Sequence, residues 1–150
     1  LPTIALKQGD FIAAERAAAD MVADAAGTAW EASAVAQLGE ALLAKGDVAG
    51  ATAATRRAIL RAADSGLGNW FRMAVRNLAQ VCVKAGEPET AARLAGASHR
   101  DMPAFGLDPE IYGEIERLAT DAVGEDQYKR LHDEGYEMSQ AEVLDLVATL

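Results

Sequence analysis

Cysteine and long apolar runs are nearly missing from this sequence of 150 residues. Its single cysteine, Cys82, excludes a disulfide within the chain, which favours a reducing cytoplasm. No run of about 18 apolar residues occurs, so the sequence predicts no membrane-spanning helix, and no charged-then-apolar signal segment opens it. Because the first residue is Leu1 and not methionine, we expect the chain to be a piece of a longer protein.

Valine, isoleucine and phenylalanine are also sparse, whereas alanine occurs 34 times. Alanine loses no side-chain entropy in a helix and lets neighbouring helices pack closely, so this composition favours an all-α fold. With 51% hydrophobic and 25% charged residues, the chain has the balance of a soluble globular domain. A domain of this length buries about 68–70% of its unfolded surface and needs neither a disulfide nor a metal ion for stability.

Positive charge is scarce in the last third of the chain. Residues 1–100 contain 11 Lys and Arg against 10 Asp and Glu, whereas residues 101–150 contain 3 against 13, a net charge of −10. Such an acidic segment repels phosphate, so the sequence argues against nucleic-acid binding through it. Two interpretations stay open: a solvated acidic surface that aids solubility, or a docking surface for a basic partner domain.

A short motif recurs three times along the first hundred residues. Gly9-Asp10, Gly46-Asp47 and Gly86-Glu87 each follow an apolar helical stretch and precede another, and an alanine lies five residues after each glycine. Glycine suits the left-handed position after a helix, and the acidic residue then lies near the positive end of the next helix. The chain is therefore predicted to contain helix–turn–helix repeats.

The second repeat shows the pattern most clearly. Its first helix places the small residue Gly39 on one face, and its second helix places Ala51 and Thr55 on the facing side, so the two antiparallel helices can approach closely. This pattern resembles the tetratricopeptide repeat, which has a Leu-Gly pair and then small residues at these offsets. The resemblance implies a right-handed superhelix of antiparallel helix hairpins. The third repeat departs from the family pattern because Cys82 stands where an aromatic residue belongs.

The periodicity predicts eight helices with recognisable ends. They span residues 10–25, 29–45, 48–65, 69–85, 88–100, 108–123, 125–134 and 141–150. On the repeat register, Leu1 lies within a truncated helix before them. The signals that set the helix ends are capping boxes at 28–31 and 139–142, first-turn prolines at Pro88 and Pro109, and terminal glycines at Gly124 and Gly135.

Residues 92–150 show a more specific resemblance. Gly124-Glu-Asp126, Tyr128, His132 and Glu134-Gly135 follow Ala92-Arg-Leu-Ala-Gly-Ala97 along this segment. They are similar to the C-terminal region of large bacterial regulators, which join an AAA-type signal-transduction ATPase to tetratricopeptide-like repeats and to a LuxR-type or nucleotide-cyclase output module. The family usually has tryptophan at the position of His132. The ATPase and output motifs lie outside this chain, so the resemblance assigns it neither activity.

No side-chain pattern predicts catalysis, a cofactor or a metal site. His99 and His132 are far apart in sequence, and neither has a second ligand type at metal-binding spacing. Cys82 occupies an inward repeat position with no histidine placed to activate it, so we expect a buried, inert thiol. Glu114 and Glu116 diverge on their helix and suit solvated surface better than acid–base catalysis. The chain is accordingly predicted not to be an enzyme.

The residues that favour partner binding are basic and lie in the middle of the chain. Arginines at positions 56, 57, 61, 72 and 76 form the densest positive group. First helices of tetratricopeptide repeats line a concave groove, which on this register is polar and suits a peptide or an acidic segment. The predicted partner-binding residues are Glu40, Arg57, Arg61, Met73, Arg76, Gln80 and Lys84. Trp30, Trp70 and Phe71 are expected in the core between repeats, with ligand contact as the alternative.

We therefore expect a non-catalytic protein-interaction or sensor domain of a bacterial multidomain signalling or transcriptional regulator. Its partner would be a protein or peptide segment, with the ATPase domain upstream in the parent chain as one candidate. The alternative is an architectural or oligomerisation module. Residues 1–107 are predicted to form the repeats, and residues 108–150 an acidic helical cap in the same globular unit that seals the last repeat.

Overall fold

The structure, a computed structural model, describes residues 2–150, and its regular elements are all helical. They are α1 (Pro2–Lys7), α2 (Phe11–Ala25), α3 (Glu31–Lys45), α4 (Val48–Asp64), α5 (Gly68–Lys84), α6 (Pro88–His99), a short 3-10 helix (Ala104–Gly106), α7 (Pro109–Val123), α8 (Glu125–Glu137) and α9 (Gln140–Ala148). No strand occurs in this range, so the predicted all-α class is confirmed. None of the described helices is long and apolar enough to cross a bilayer. The predicted placement of Leu1 in a truncated helix lies outside the described residues.

The chain divides into two compact units within α5, an N-terminal unit of residues 1–74 and a C-terminal unit of residues 75–150. This division does not coincide with the predicted border between residues 107 and 108. Inside the C-terminal unit, α6 packs against both α7 and α8. The helices of the predicted cap therefore cover the last helix of the predicted repeats, while the extent of the two predicted domains stays a prediction.

In the N-terminal unit, α3 packs against both α2 and α4 through very small side chains. Ala14, Ala18 and Ala41 form one fully buried cluster. A Cβ atom added to Gly39 would lie 2.6 Å from Thr55 Oγ1, which is held in place because it donates a hydrogen bond to Ala51 O (2.7 Å). Glycine is thus what permits this approach of α3 to α4, and the predicted close contact between them is confirmed.

The repeated turn motif ends α1, α3 and α5. At Gly46 the backbone is left-handed (φ +91°), and its N–H closes α3 by donating to Leu43 O. Asp47 then caps α4 by accepting a hydrogen bond from Gly50 N–H (2.8 Å). Asp10 caps α2 in the same way, whereas the acidic residue of the third turn makes no side-chain cap. The left-handed backbone predicted for the glycines that follow these helices is confirmed.

The turn between α2 and α3 differs from the predicted capping box at 28–31. Thr28 Oγ1 accepts a hydrogen bond from Trp30 N–H (3.2 Å) and not from Glu31 N–H. Glu31 Oε2 accepts from Gly27 N–H (3.0 Å), one residue before the expected partner. The predicted pairing is wrong because Gly27, with φ +75°, turns the chain back earlier than the capping-box pattern requires. As a result, the Glu31 side chain is buried at the start of α3.

The crossing of α6 and α8 in the C-terminal unit brings two backbones together. A Cβ atom added to Gly96 would overlap the carbonyl of His132, and one added to Gly135 would overlap the carbonyl of Arg93. The prediction that Gly135 ends a helix is therefore wrong, since α8 continues to Glu137 and Gly135 is buried inside it. The glycine serves close packing between helices and not termination.

The cap helices begin with the local signals that the sequence predicts. Asp108 Oδ1 accepts hydrogen bonds from the backbone at the start of α7, and Ser139 and Glu142 form the capping box that opens α9. The buried cluster between the cap and α6 consists of Ala92, Ala119, Tyr128 and Leu131. Within the C-terminal unit, α7 and α8 thus both pack on α6, while the role of residues 108–150 as a cap on repeats stays a prediction.

Candidate interaction surfaces

A buried carboxylate organises the basic surface of the N-terminal unit. Glu31 Oε1 lies 2.7 Å from Arg57 Nη2 and 3.3 Å from Arg61 Nε, while its other oxygen accepts the hydrogen bond from Gly27. The Arg57 hydrogen bond, assisted by Gly27 N–H and the Arg61 charge, holds the pKa of Glu31 below its usual range. One acidic side chain thus fixes two arginines of α4 against the start of α3.

We call Arg56, Arg57, Leu60 and Arg61 the arginine face of α4. The side chains of Arg57 and Arg61 are about half exposed although both contact Glu31. Leu60 lies between them with 51% of its surface exposed, and Asp64 completes a shallow depression along the helix. The predicted sharing of one helix face by Arg57 and Arg61 is confirmed.

Arg76 does not line an exposed groove, contrary to its predicted position. Only 5% of its surface is exposed, and its guanidinium donates to Gly106 O (3.0 Å) and to Asn77 Oδ1 (2.8 Å). The 3-10 helix after α6 brings the Gly106 carbonyl to this side chain, and the charged donor satisfies a carbonyl that water does not reach. The predicted exposure of Arg76 is therefore wrong.

Gln80 and Lys84 lie near the same end of α5 and contact α7. Gln80 Nε2 donates to Glu114 Oε2 (2.7 Å), and Lys84 Nζ lies 3.3 Å from Glu114 Oε1. Burial pushes the pKa of Glu114 upward, but the Gln80 amide and the Lys84 ammonium outweigh it and keep that pKa below its usual range. In the C-terminal unit, three predicted groove positions thus bind the chain's own residues, which leaves less of their surface for a partner.

The remaining residues that were predicted to lie at the surface or in the core differ in how deeply they are buried. Glu40 and Met73 are partly buried, so partner binding through them stays a prediction. Phe71 is buried as expected, with 2% of its surface exposed, and Trp70 is partly buried. Trp30 is 67% exposed, so its predicted place in the core is wrong. It lies at the N-cap of α3, outside the helix face that packs inward.

Two histidines that are distant in sequence meet in the C-terminal unit. His99 Nδ1 on α6 lies 2.8 Å from His132 Nε2 on α8. The His99 ring also stacks on Tyr112 of α7, with ring centroids 3.9 Å apart, and the Tyr112 hydroxyl shares a hydrogen bond with Ser98. Burial, and secondarily the neighbouring His132, lower the pKa of His99. The sequence analysis missed this pair because each histidine lies on a different helix and only the α6–α8 crossing joins them.

The single thiol of the chain lies inside the C-terminal unit. Cys82 is buried as expected, and burial raises the pKa of its thiol to about 12, which disfavours the reactive thiolate, while its inertness stays a prediction. No cluster of three or more metal-ligating side chains occurs among residues 2–150. Among the exposed features of the described residues, the arginine face and the tryptophan at the start of α3 each border a depression in the surface.

Comparisons with known proteins were made at the level of family, sequence and structure. No family model, curated protein or solved structure matches the chain. The resemblances to tetratricopeptide repeats and to bacterial signalling regulators therefore stay predictions.

Proposed function

We propose that this chain is a non-catalytic protein-interaction domain whose arginine face binds an acidic protein segment. The observation that supports this most is the exposed side chain of Leu60, which lies among three arginines. Glu31 holds two of these arginines in place. Arginine is enriched at protein interfaces, and covering an exposed leucine removes apolar surface from water. The face therefore combines an electrostatic and a hydrophobic reason to bind.

The contact with Glu31 leaves most of the donors on the two arginines available. A guanidinium has five N–H donors, and Glu31 contacts Arg57 through Nη2 and Arg61 through Nε. The free edges can accept a carboxylate in the paired geometry that arginine favours. Because the side chains are already restrained, binding costs less conformational entropy than it would for freely rotating arginines.

The charge balance of the face favours an acidic partner. Three guanidinium groups, at positions 56, 57 and 61, outnumber the two carboxylates beside them, Glu31 and Asp64. An approaching carboxylate is attracted over roughly a Debye length, about 10 Å at 0.1 M salt. Association should consequently depend on ionic strength.

We place this domain in a cytoplasmic bacterial signalling or transcriptional regulator, with tetratricopeptide-like hairpins arranged as a superhelix. The support is the recurring glycine turn, the packing of α1 on α2 and of α3 on α4, and the resemblance of residues 92–150 to such regulators. The partner would be a segment of the parent protein, such as its ATPase domain, or a separate effector protein.

A titration with a designed peptide tests the proposal. The probe is an amphipathic helical peptide with glutamates four residues apart on either side of a leucine. We expect Arg56→Glu and Leu60→Ala each to weaken binding by about tenfold, and 1 M salt to weaken it further. Neither residue contacts Glu31, so melting temperatures should change little. Arg16→Glu on α2 is the matched control. The proposal would be contradicted if wild type and both variants bound the peptide equally well, at about 0.1 M salt as well as at 1 M.

The alternative function, an oligomerisation module, also has a specific observation in its favour. The arginine face and the acidic residues 101–150 belong to one chain, so they can join successive copies head to tail. In that case sedimentation velocity should show salt-sensitive association that Arg56→Glu abolishes. A monomer at all concentrations and salt conditions would exclude this alternative.

A further inference from the structure

We propose that a recess beside Trp30 is a binding site for an arginine side chain presented by a protein segment. The recess lies between α2, the turn that follows it and the first turn of α3, and its volume is about 420 Å³. Recesses that hold ligands usually measure about 300–1,000 Å³. All of its residues belong to the N-terminal unit and none to the arginine face, so the inference does not depend on the proposed function.

The wall of the recess is a tryptophan held on a fixed turn. Trp30 is 67% exposed, yet its backbone N–H donates to Thr28 Oγ1 (3.2 Å), and that hydroxyl donates to Ala25 O (2.7 Å). The bond from Gly27 N–H to the buried Glu31 fixes the other side of the turn. The turn therefore fixes the backbone from which this large, exposed aromatic side chain projects, so binding need not order the turn itself.

The rim of the recess is negatively polarised. Asp24 lies in the last turn of α2, where the helix dipole adds partial negative charge and no basic residue offsets it. No residue in the described part of the chain forms an ion pair with Asp24. A cation that enters the recess would find both an aspartate and a tryptophan among the residues that line it.

Arginine satisfies each of these surfaces at once. Its planar guanidinium stacks on an indole and pairs with a carboxylate through two donors, and its methylene groups suit the apolar floor formed by Met21 and Ala34. A small free cation fits less well, because ligand sites usually bury about 70–90% of a ligand and this recess is open on the side of Trp30. A protein segment needs only one side chain held here while its other residues contact the rim.

The test is an NMR titration of the full chain with a short peptide, acetyl-Gly-Arg-Gly-amide. The chain has two tryptophans, so the indole N–H signal of Trp30 is the one that Trp30→Phe removes. We expect the arginine peptide to shift this signal saturably, and a peptide with neutral citrulline to bind about fivefold or more weakly. Asp24→Asn should weaken binding by a similar factor. Asp20→Asn, one turn earlier on α2 and outside the recess, is the matched control and should change affinity much less.

Three outcomes would overturn the inference. Equal affinity for the arginine and citrulline peptides would show that the site does not require a positively charged ligand. Equal effects of Asp20→Asn and Asp24→Asn would show a general attraction to α2 and no defined site. Equal affinity for the peptide and for free arginine amide would refute the assignment to a protein segment. None of these results depends on whether the arginine face binds an acidic partner.

Discussion

At the scale of single residues, the hydrogen bond between His99 and His132 makes the C-terminal unit sensitive to protonation. One ring must donate and the other accept, so the two cannot both be protonated while this bond persists. Tyr112 stacks on His99, Tyr128 lies beside His132, and the exposed Asp133 is 3.8 Å from His132 Nδ1. That aspartate adds a negative charge beside His132, whereas burial lowers the pKa of His99.

We predict that the free energy of unfolding falls between about pH 7.5 and about pH 5.5. Burial lowers the pKa of His99 in the folded chain, so the unfolded chain, with an ordinary histidine pKa of about 6.5, binds protons first as the pH falls. The contribution of neutral His99 to the free energy of unfolding is therefore fully present above the pKa of the unfolded chain and is lost as the pH falls below it. Urea unfolding at the two pH values measures the difference, and His99→Phe, which keeps a ring on Tyr112, should reduce it. The same pH dependence in the variant would assign the effect to other groups.

At the scale of helices, glycine has opposite effects on stability at two positions in the C-terminal unit. Gly96 leaves no room for a Cβ at the crossing with α8, whereas a Cβ at Gly113 of α7 would point into open space. Both residues lie inside helices, where alanine is intrinsically favoured by about 0.5–1 kcal/mol. Interhelical contact therefore decides the sign of the same substitution.

We predict that Gly96→Ala destabilises the chain by about 1–3 kcal/mol, because the α6 and α8 backbones must move apart. The matched variant Gly113→Ala should stabilise it by about 0.5–1 kcal/mol. Urea unfolding of the two variants beside wild type provides the measurement. A neutral Gly96→Ala would mean that the two helices cross at a greater distance.

Local signals in the sequence predicted the helices well, and contacts between helices limited the rest. Gly46 ends a helix as expected, since the turn needs only that residue's left-handed backbone. Gly135 has the same local pattern but packs inside α8, because its partner on α6 is distant in sequence. Arg76 and Trp30 show the same limit in opposite directions, one expected at the surface and buried, the other expected in the core and exposed. Periodicity predicts helix faces but not what covers them.

At the scale of the whole chain, residues 108–150 are expected to be necessary for a soluble protein. They cover α6, and their buried residues Ala119, Tyr128 and Leu131 share a cluster with Ala92. We predict that a fragment of residues 1–107 aggregates or loses cooperative unfolding, because that apolar surface becomes exposed to water. Size-exclusion chromatography and thermal unfolding of the fragment provide the measurement. A monomeric, cooperatively unfolding fragment would contradict the role of these residues as a cap.

The alanine-rich interior also limits which mutations the chain can accept. Of the 30 buried apolar residues in the described part of the chain, 15 are alanine. An alanine has a single methyl group to lose, so few substitutions at these positions can create a cavity. Almost every replacement adds volume, and the helices must separate to accommodate it. Random mutation at these alanine positions would therefore cause damage mainly by overfilling, whereas in a leucine-rich core the main damage comes from cavities.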